Sequence, residues 1–143
     1  MKSESGKMYP TKMGIVLPPM RFANFMLLEE HISQRVNRRL DQPHVYEEGS
    51  EWRRHVGGDV YVSISRDFDV VNLRSYWKPE GSATEAPTRK GVTIQFSAWS
   101  KLVEAMKTIA LDHKELQTAE PCYLQHDNQE GHLLCWECKP FGC

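Results

Sequence analysis

The fold is decided by the stretch VYVSISRDFDVVNLRSYW, which occupies residues 60–77. Apolar side chains alternate with polar or aromatic ones over residues 60–65, which is the two-residue period of a β-strand. Residues 67–69 have the composition of a tight turn. Residues 70–77 then form a run rich in β-branched and aromatic side chains, which favours a second strand. This stretch therefore predicts an antiparallel hairpin.

Further strands are expected on both sides of the hairpin, and a helix follows the last of them. Residues 91–96 alternate again, and residues 52–56 are a weaker candidate for a strand. At Ser97, a good helix N-cap, the apolar period changes to 3.6 residues and continues to about residue 116. We therefore expect an α+β domain at residues 51–116, in which several antiparallel strands precede one amphipathic helix that covers a sheet face.

Three segments lie outside the predicted domain. Residues 1–20 are polar and then proline-containing, which predicts a flexible lead-in. Residues 21–41 predict an amphipathic helix, whose apolar stripe either packs on the domain or binds another chain. Residues 117–143 form a tail without a clear secondary-structure pattern. The stripe of the predicted helix consists of Phe22, Phe25, Met26, Ile32, Val36 and Leu40.

Composition narrows the class of protein. Of the 143 residues, 18 are lysine or arginine and 19 are aspartate or glutamate, so the net charge is -1. This excludes a uniformly basic protein that coats nucleic acid, but it leaves room for a basic patch. No apolar run approaches the roughly 20 residues of a membrane span, and no signal-peptide pattern opens the chain. Because all four cysteines lie at or after position 122, a disulfide-stapled secreted domain is also disfavoured. We expect a soluble, intracellular protein that does not act at a membrane.

The sequence carries no pattern of an enzyme. It contains no nucleophile elbow, no phosphate-binding glycine loop and no paired-histidine zinc helix. Asp67 and Asp69 are the best acid–base pair, but aspartate is favoured in turns for local reasons. We therefore expect a protein without catalytic activity.

The strands carry the side chains that a single-strand binder needs, namely cations for phosphates and flat rings for bases. Phe68 and Trp77 belong to neighbouring strands, so a hairpin can bring them near one another, and arginines lie within three residues of each. Strand aromatics are more often part of a core, so the pattern alone leaves both interpretations open. The full set is Arg66, Phe68, Arg74, Tyr76, Trp77, Arg89 and Lys90.

Several motifs occur in an order that resembles the C-terminal domain of the transcriptional positive cofactor 4 family. They are YVSISRDF, VVNLRSYW, KPEG and TRKGVTIQFSAWSKLVEAM, and they lie within residues 61–106. The resemblance implies a curved four-stranded antiparallel sheet followed by a helix, assembled as a homodimer. It also implies binding of single-stranded or unwound DNA and a role as a nuclear transcription cofactor that contacts the transcription machinery. The chain departs from the family in a shorter turn after Phe68, in Asp69 where lysine is common, and in a helix that replaces the family's acidic, serine-rich N-terminal region.

The resemblance assigns roles to individual residues. Phe68 and Trp77 match base-stacking aromatics, and Trp99 matches a core position. The phosphate-contacting cations and a close-approach glycine match Arg66, Arg74, Arg89, Lys90 and Gly91. We therefore expect a dimeric protein that binds single strands by stacking and phosphate contacts, with little base-specific readout. The alternative is a protein-interaction adaptor that kept the fold and the dimer, lost DNA binding, and holds a partner with the helix of residues 21–41.

The tail contains a C-x-x-C knuckle, Cys135-Trp136-Glu137-Cys138, the spacing at which two thiolates share one tetrahedral zinc ion. Zinc is therefore the one cofactor that the sequence suggests. A chance cluster of reduced thiols and a redox dithiol are the alternatives. The candidate ligands are Cys122, Cys135, Cys138 and Cys143, with His126 and His132 as alternates.

Overall fold

The computed structural model describes residues 14–42, 51–120, 126 and 135–141. Their elements are α1 (Pro19–Asp41), β1 (Trp52–Gly57), β2 (Val60–Ile64), β3 (Val70–Trp77), β4 (Ala86–Gln95), α2 (Phe96–Asp112) and α3 (Lys114–Thr118). The α+β class, with a four-stranded antiparallel sheet followed by a helix, is confirmed. Within the described ranges, the helices are all too short or too polar to cross a bilayer.

The sheet has the order β1-β2-β3-β4, and each neighbouring pair is antiparallel. In register, Val62 lies opposite Leu73, and Ile64 lies opposite Val71, which in turn pairs with Ile94. These side chains share one face and belong to the core that the helices cover. We call this the helix-covered face. The other side, the open face, carries the alternate residues of each strand.

Helix α1 packs inside the same chain. Phe25, Ile32 and Val36 of its predicted stripe are buried in the core. The ring of Phe25 meets the ring of Trp99 on α2 edge-to-face, with centroids 6.1 Å apart. The Trp99 indole N–H also donates a hydrogen bond to the Ser33 hydroxyl at 2.9 Å. Trp99 is therefore a core residue, as expected. Of the two alternatives for the apolar stripe of α1, the structure shows packing on the domain of the same chain.

Several boundaries differ from the sequence-based expectation. Helix α1 begins at Pro19, because proline needs no donor in the first turn and fits there. Strand β4 begins at Ala86 rather than at residue 91, because its first half is irregular and hides the alternation. Helix α2 begins at Phe96 with Gln95 as its N-cap, so Ser97 is not the cap. Leu40 is 52% exposed, which places it outside the buried stripe.

The predicted lead-in is only partly described. From residue 14 onward it contributes Ile15 and Leu17, which pack against the core. Residues 1–13 lie outside the described part of the chain, as do residues 43–50 between α1 and β1.

Candidate nucleic-acid interface

Two of the predicted stacking rings are accessible. Phe68 is 66% exposed and Trp77 is 53% exposed, whereas Tyr76, beside Trp77, is 6% exposed. Tyr76 is therefore the buried aromatic at the end of β3, and Trp77 is the accessible one. A ring must be accessible before a base can stack on it, so Phe68 and Trp77 meet this first condition.

The prediction that the hairpin brings Phe68 and Trp77 near one another is wrong. Phe68 lies in the turn between β2 and β3, and Trp77 is the last residue of β3. Strand β3 has eight residues, which at about 3.3 Å per residue separates its ends by roughly 25 Å. The reason is strand direction: a residue that precedes a strand and a residue that ends the same strand lie at opposite ends of that strand. The candidate residues therefore form two groups, a Phe68 end and a Trp77 end.

At the Trp77 end, a bulge in β4 presents two cations. Arg74 pairs with Gly91 and Tyr76 pairs with Pro87, so residues 88–90 of β4 lie opposite the single residue 75 of β3. Such bulges redirect side chains away from the ladder. Arg89 and Lys90 are both exposed there.

Contacts of Thr88 hold this bulge in place. Its hydroxyl donates to the Ser75 carbonyl at 2.9 Å and accepts from the Lys90 N–H at 3.1 Å. Lys90 lines a cleft of about 120 Å³ together with Ser75, and alternation along β3 puts Trp77 on the face of Ser75. In the ladder Trp77 lies opposite Ala86, three residues before Arg89, so Trp77, Arg89 and Lys90 belong to the same end of the β3–β4 pair.

Arg74 and Gly91 have roles inside the sheet. By alternation, Arg74 lies on the open face, where its guanidinium donates to the Thr88 carbonyl at 3.0 Å and to the Thr93 hydroxyl at 3.1 Å. A Cβ on Gly91 would lie 2.6 Å from the Leu73 carbonyl oxygen and 2.7 Å from the Arg74 Cα. Gly91 is thus required because the backbones of β4 and β3 approach each other closely at this position.

At the Phe68 end, the turn is held by a residue that the sequence analysis missed. Arg39, in the last turn of α1, donates to the carbonyl oxygens of Ser65 at 2.7 Å and Phe68 at 3.0 Å. It also lies 3.7 Å from the carboxylate of Asp69. Arginine is favoured near a helix C-terminus in any case, so no local pattern points to this contact. Arg66 is exposed on the same turn.

A second missed feature is a cation–aromatic cluster on the open face. The Arg53 guanidinium lies 5.2 Å from the ring centre of Tyr61 and 5.0 Å from that of Tyr76. Arg53 also lies 3.4 Å from the carboxylate of Glu85. The two tyrosine rings are 5.1 Å apart, and the ring of His55 is 4.9 Å from that of Tyr61. These rings are occupied by their neighbours, so we do not assign them to base stacking.

Burial shifts the titration of two members of this cluster. It lowers the pKa of His55, whose Nε2 lies 2.7 Å from the Gly58 carbonyl oxygen. It raises the pKa of Tyr61. Both shifts favour the neutral form, so the cluster gains no charge from these rings at neutral pH.

The described part of the tail contains three residues that can hold a metal ion. A ligand atom of His126, one of Cys135 and one of Cys138 all lie within 4.8 Å of one another. The His126 Nε2 is 3.3 Å from the Cys138 sulfur. The other predicted ligands, Cys122, His132 and Cys143, lie outside the described residues.

Comparison of the chain with known family models, characterised proteins and solved structures gives no match.

Proposed function

We propose that the protein binds single-stranded or unwound DNA, with base stacking on Trp77 and phosphate contacts to Arg89 and Lys90. The observation that carries this proposal is that one end of the β3–β4 pair carries both an exposed tryptophan and two exposed cations on a bulge. Flat rings and cations are the two components of sequence-tolerant single-strand binding. The resemblance in motifs supports the same function.

Phe68 and Arg66 provide a second contact with the DNA strand, at the opposite end of β3. The ends of β3 are roughly 25 Å apart, which suits a strand of several nucleotides, since small single-strand-binding folds cover about 4–16. Asp67 and Asp69 flank Phe68, and both are exposed. Their charges repel phosphates, so we assign the larger share of affinity to the Trp77 end.

The assembly that we propose is a homodimer. Ile109 and Leu111 of α2 are 46% and 76% exposed, and Val92 on the edge strand β4 is 37% exposed. A second copy would cover such apolar side chains. Helix α1 already covers part of the apolar surface of α2 and the sheet, so a partner copy would cover only the apolar area that α1 leaves exposed.

Three further proposals follow from the resemblance. They are a role as a transcription cofactor, a nuclear location, and contacts with the transcription machinery. Zinc is the only cofactor that we propose, and it belongs to the tail rather than to the nucleic-acid surface. The adaptor alternative relied on α1 as a partner-binding helix, and the burial of Phe25, Ile32 and Val36 leaves that helix little apolar surface to offer.

The test is a fluorescence anisotropy titration with labelled oligo-dT and with a duplex of the same length, at two salt concentrations. We expect tighter binding to the single strand and an affinity that falls as salt rises. Arg89→Ala with Lys90→Ala should weaken binding and flatten the salt dependence, because each lost phosphate contact removes about 0.7 from the logarithmic slope. The control is Lys101→Ala with Lys114→Ala, which removes two exposed cations on helices. Equal losses in both double variants, or no binding by the parent, would favour the adaptor.

A further inference from the structure

The segment of residues 135–141 docks on the β1–β2 turn through polar contacts. The Gly58 N–H donates to the Glu137 carbonyl oxygen at 2.7 Å. Arg21 of α1 donates from two nitrogens to the two carboxylate oxygens of Glu137, at 2.7 and 2.9 Å. This paired geometry is the stronger form of an arginine–carboxylate contact. The Arg21 guanidinium also lies 5.8 Å from the ring centre of Trp136.

The glycines of the turn make this docking possible. A Cβ on Gly57 would collide with the Glu137 carboxylate and with the Arg21 side chain. Gly58 has a φ of 54°, and a Cβ there would meet Arg21 and Trp136. The turn therefore lacks side chains where α1 and the tail approach it.

Apolar burial contributes little to this docking. Trp136 is 56% exposed, Cys135, Cys138, Pro140 and Phe141 are only partly buried, and no described side chain of the tail belongs to the buried core. A short segment with so little buried apolar surface does not offset the entropy of ordering its backbone. Another source of order is needed, and two members of the His–Cys–Cys group, Cys135 and Cys138, lie in this segment.

We infer that His126, Cys135 and Cys138 supply three of the four ligands of one zinc ion, and that this ion fastens the tail to the β1–β2 turn. In a tetrahedral zinc site, bond lengths of about 2.0–2.3 Å place neighbouring ligand atoms about 3.5–3.8 Å apart. The 3.3 Å between His126 Nε2 and the Cys138 sulfur is close to that spacing. The Lys139 N–H donates to the Cys135 carbonyl at 2.8 Å, which closes the turn that gathers the two cysteines. Thiolate and imidazole are ligands that suit zinc.

The ion fixes Glu137 because that residue lies between the two cysteine ligands. When zinc holds Cys135 and Cys138, the Glu137 backbone and carboxylate contact Gly58 and Arg21 in one arrangement. Arg21 continues the contact into the sheet, since it lies 3.7 Å from the Asp59 carboxylate. Asp59 in turn accepts hydrogen bonds from the Ser75 hydroxyl and, at its carbonyl, from the Tyr76 N–H at 2.8 Å. The zinc site therefore stabilises the end of β3 that carries Trp77. Zinc binding at this site does not depend on nucleic-acid binding.

The first experiment measures metal in the full chain, purified under reducing conditions without added nucleic acid. We expect about one zinc ion per chain, and intense thiolate-to-metal absorption when cobalt replaces zinc. Cys135→Ser, Cys138→Ser and His126→Ala should each lower the zinc content severalfold. His113→Ala, which removes an exposed histidine at the end of α2, is the matched control and should retain the metal. No zinc in the parent, or full retention in all three ligand variants, would overturn the site.

The second experiment tests the fastening by hydrogen exchange at single amides. Chelation of zinc should speed exchange of the Gly58 N–H at least tenfold, because its acceptor is in the tail. The amides of β2, which pair inside the sheet, should keep their protection. Arg21→Ala should speed Gly58 exchange while the zinc content stays at the parent value. Equal Gly58 protection with and without zinc would show that the ion does not fasten the tail. Loss of protection throughout β2 would also contradict the inference, because the ion would then support the whole fold.

Discussion

Because α1 packs on the domain, we expect Phe25→Ala to lower the free energy of unfolding strongly. Phe25 is 2% exposed and meets Trp99 edge-to-face at 6.1 Å. Removal of a buried phenylalanine ring costs about 3–5 kcal/mol, because apolar burial is lost and a cavity remains. For a chain of this length, each kcal/mol lowers the melting temperature by roughly 2–4 °C, so a fall of roughly 6–20 °C is expected.

The assay is urea unfolding followed by circular dichroism, with Leu27→Ala as the matched control. Leu27 lies on the same helix and is 56% exposed, so its truncation should change the unfolding free energy by less than about 0.5 kcal/mol. A Phe25→Ala variant as stable as the Leu27→Ala variant would refute intramolecular packing of α1. The stripe would then be available to a partner, and deletion of residues 1–42 would leave the domain stable, whereas we expect that deletion to destabilise it.

Three other changes test separate contacts. Gly91→Ala should lower the unfolding free energy by about 1–3 kcal/mol, because its Cβ would meet the β3 backbone; an unchanged stability with a weaker affinity for oligo-dT would instead make Gly91 a nucleic-acid contact. Arg39→Ala should increase hydrogen exchange in the turn that carries Phe68 and leave the β1–β2 turn unchanged, because Arg39 donates to the carbonyl oxygens of Ser65 and Phe68 in the former turn. Burial lowers the pKa of His55, so below pH 6.5 the unfolded chain should bind a proton at His55 more readily than the folded protein does. The unfolding free energy should therefore fall as the pH drops below 6.5, and it should fall less steeply in His55→Gln. Urea titrations on either side of that pH measure both slopes.

The sheet and the second helix were predictable because their signals are local. Two-residue alternation in β2 and a change to a 3.6-residue period after β4 depend only on neighbouring residues. The start of β4 was not predictable in this way, because its residues 88–90 form a bulge opposite one residue of β3. A bulge breaks the alternation that identifies a strand, so the sequence placed β4 five residues too late.

The candidate site was predictable in its residue types and not in its arrangement. Exposed Phe68 and Trp77 agree with the roles expected of them, but their separation along β3 follows from strand direction, which a list of motifs does not include. The contacts of Arg21 with Glu137 and of Arg39 with the Phe68 turn join residues far apart in sequence. No local pattern reports such pairs. The C-x-x-C spacing suggested a metal site, and the folded chain places His126 beside the two cysteines.

The central claim, that a base stacks on Trp77, is tested most directly by oligo-dT titration of Trp77→Ala beside Trp136→Ala. The two tryptophans are 53% and 56% exposed, so the variants lose similar rings from different places on the surface. Loss of a stacking ring costs about 1–3 kcal/mol per base, so Trp77→Ala should bind roughly tenfold or more weakly at an unchanged salt slope. Trp136→Ala should bind like the parent, and circular dichroism should show both variants folded. A folded Trp77→Ala variant with the parent's affinity for the single strand would contradict the account.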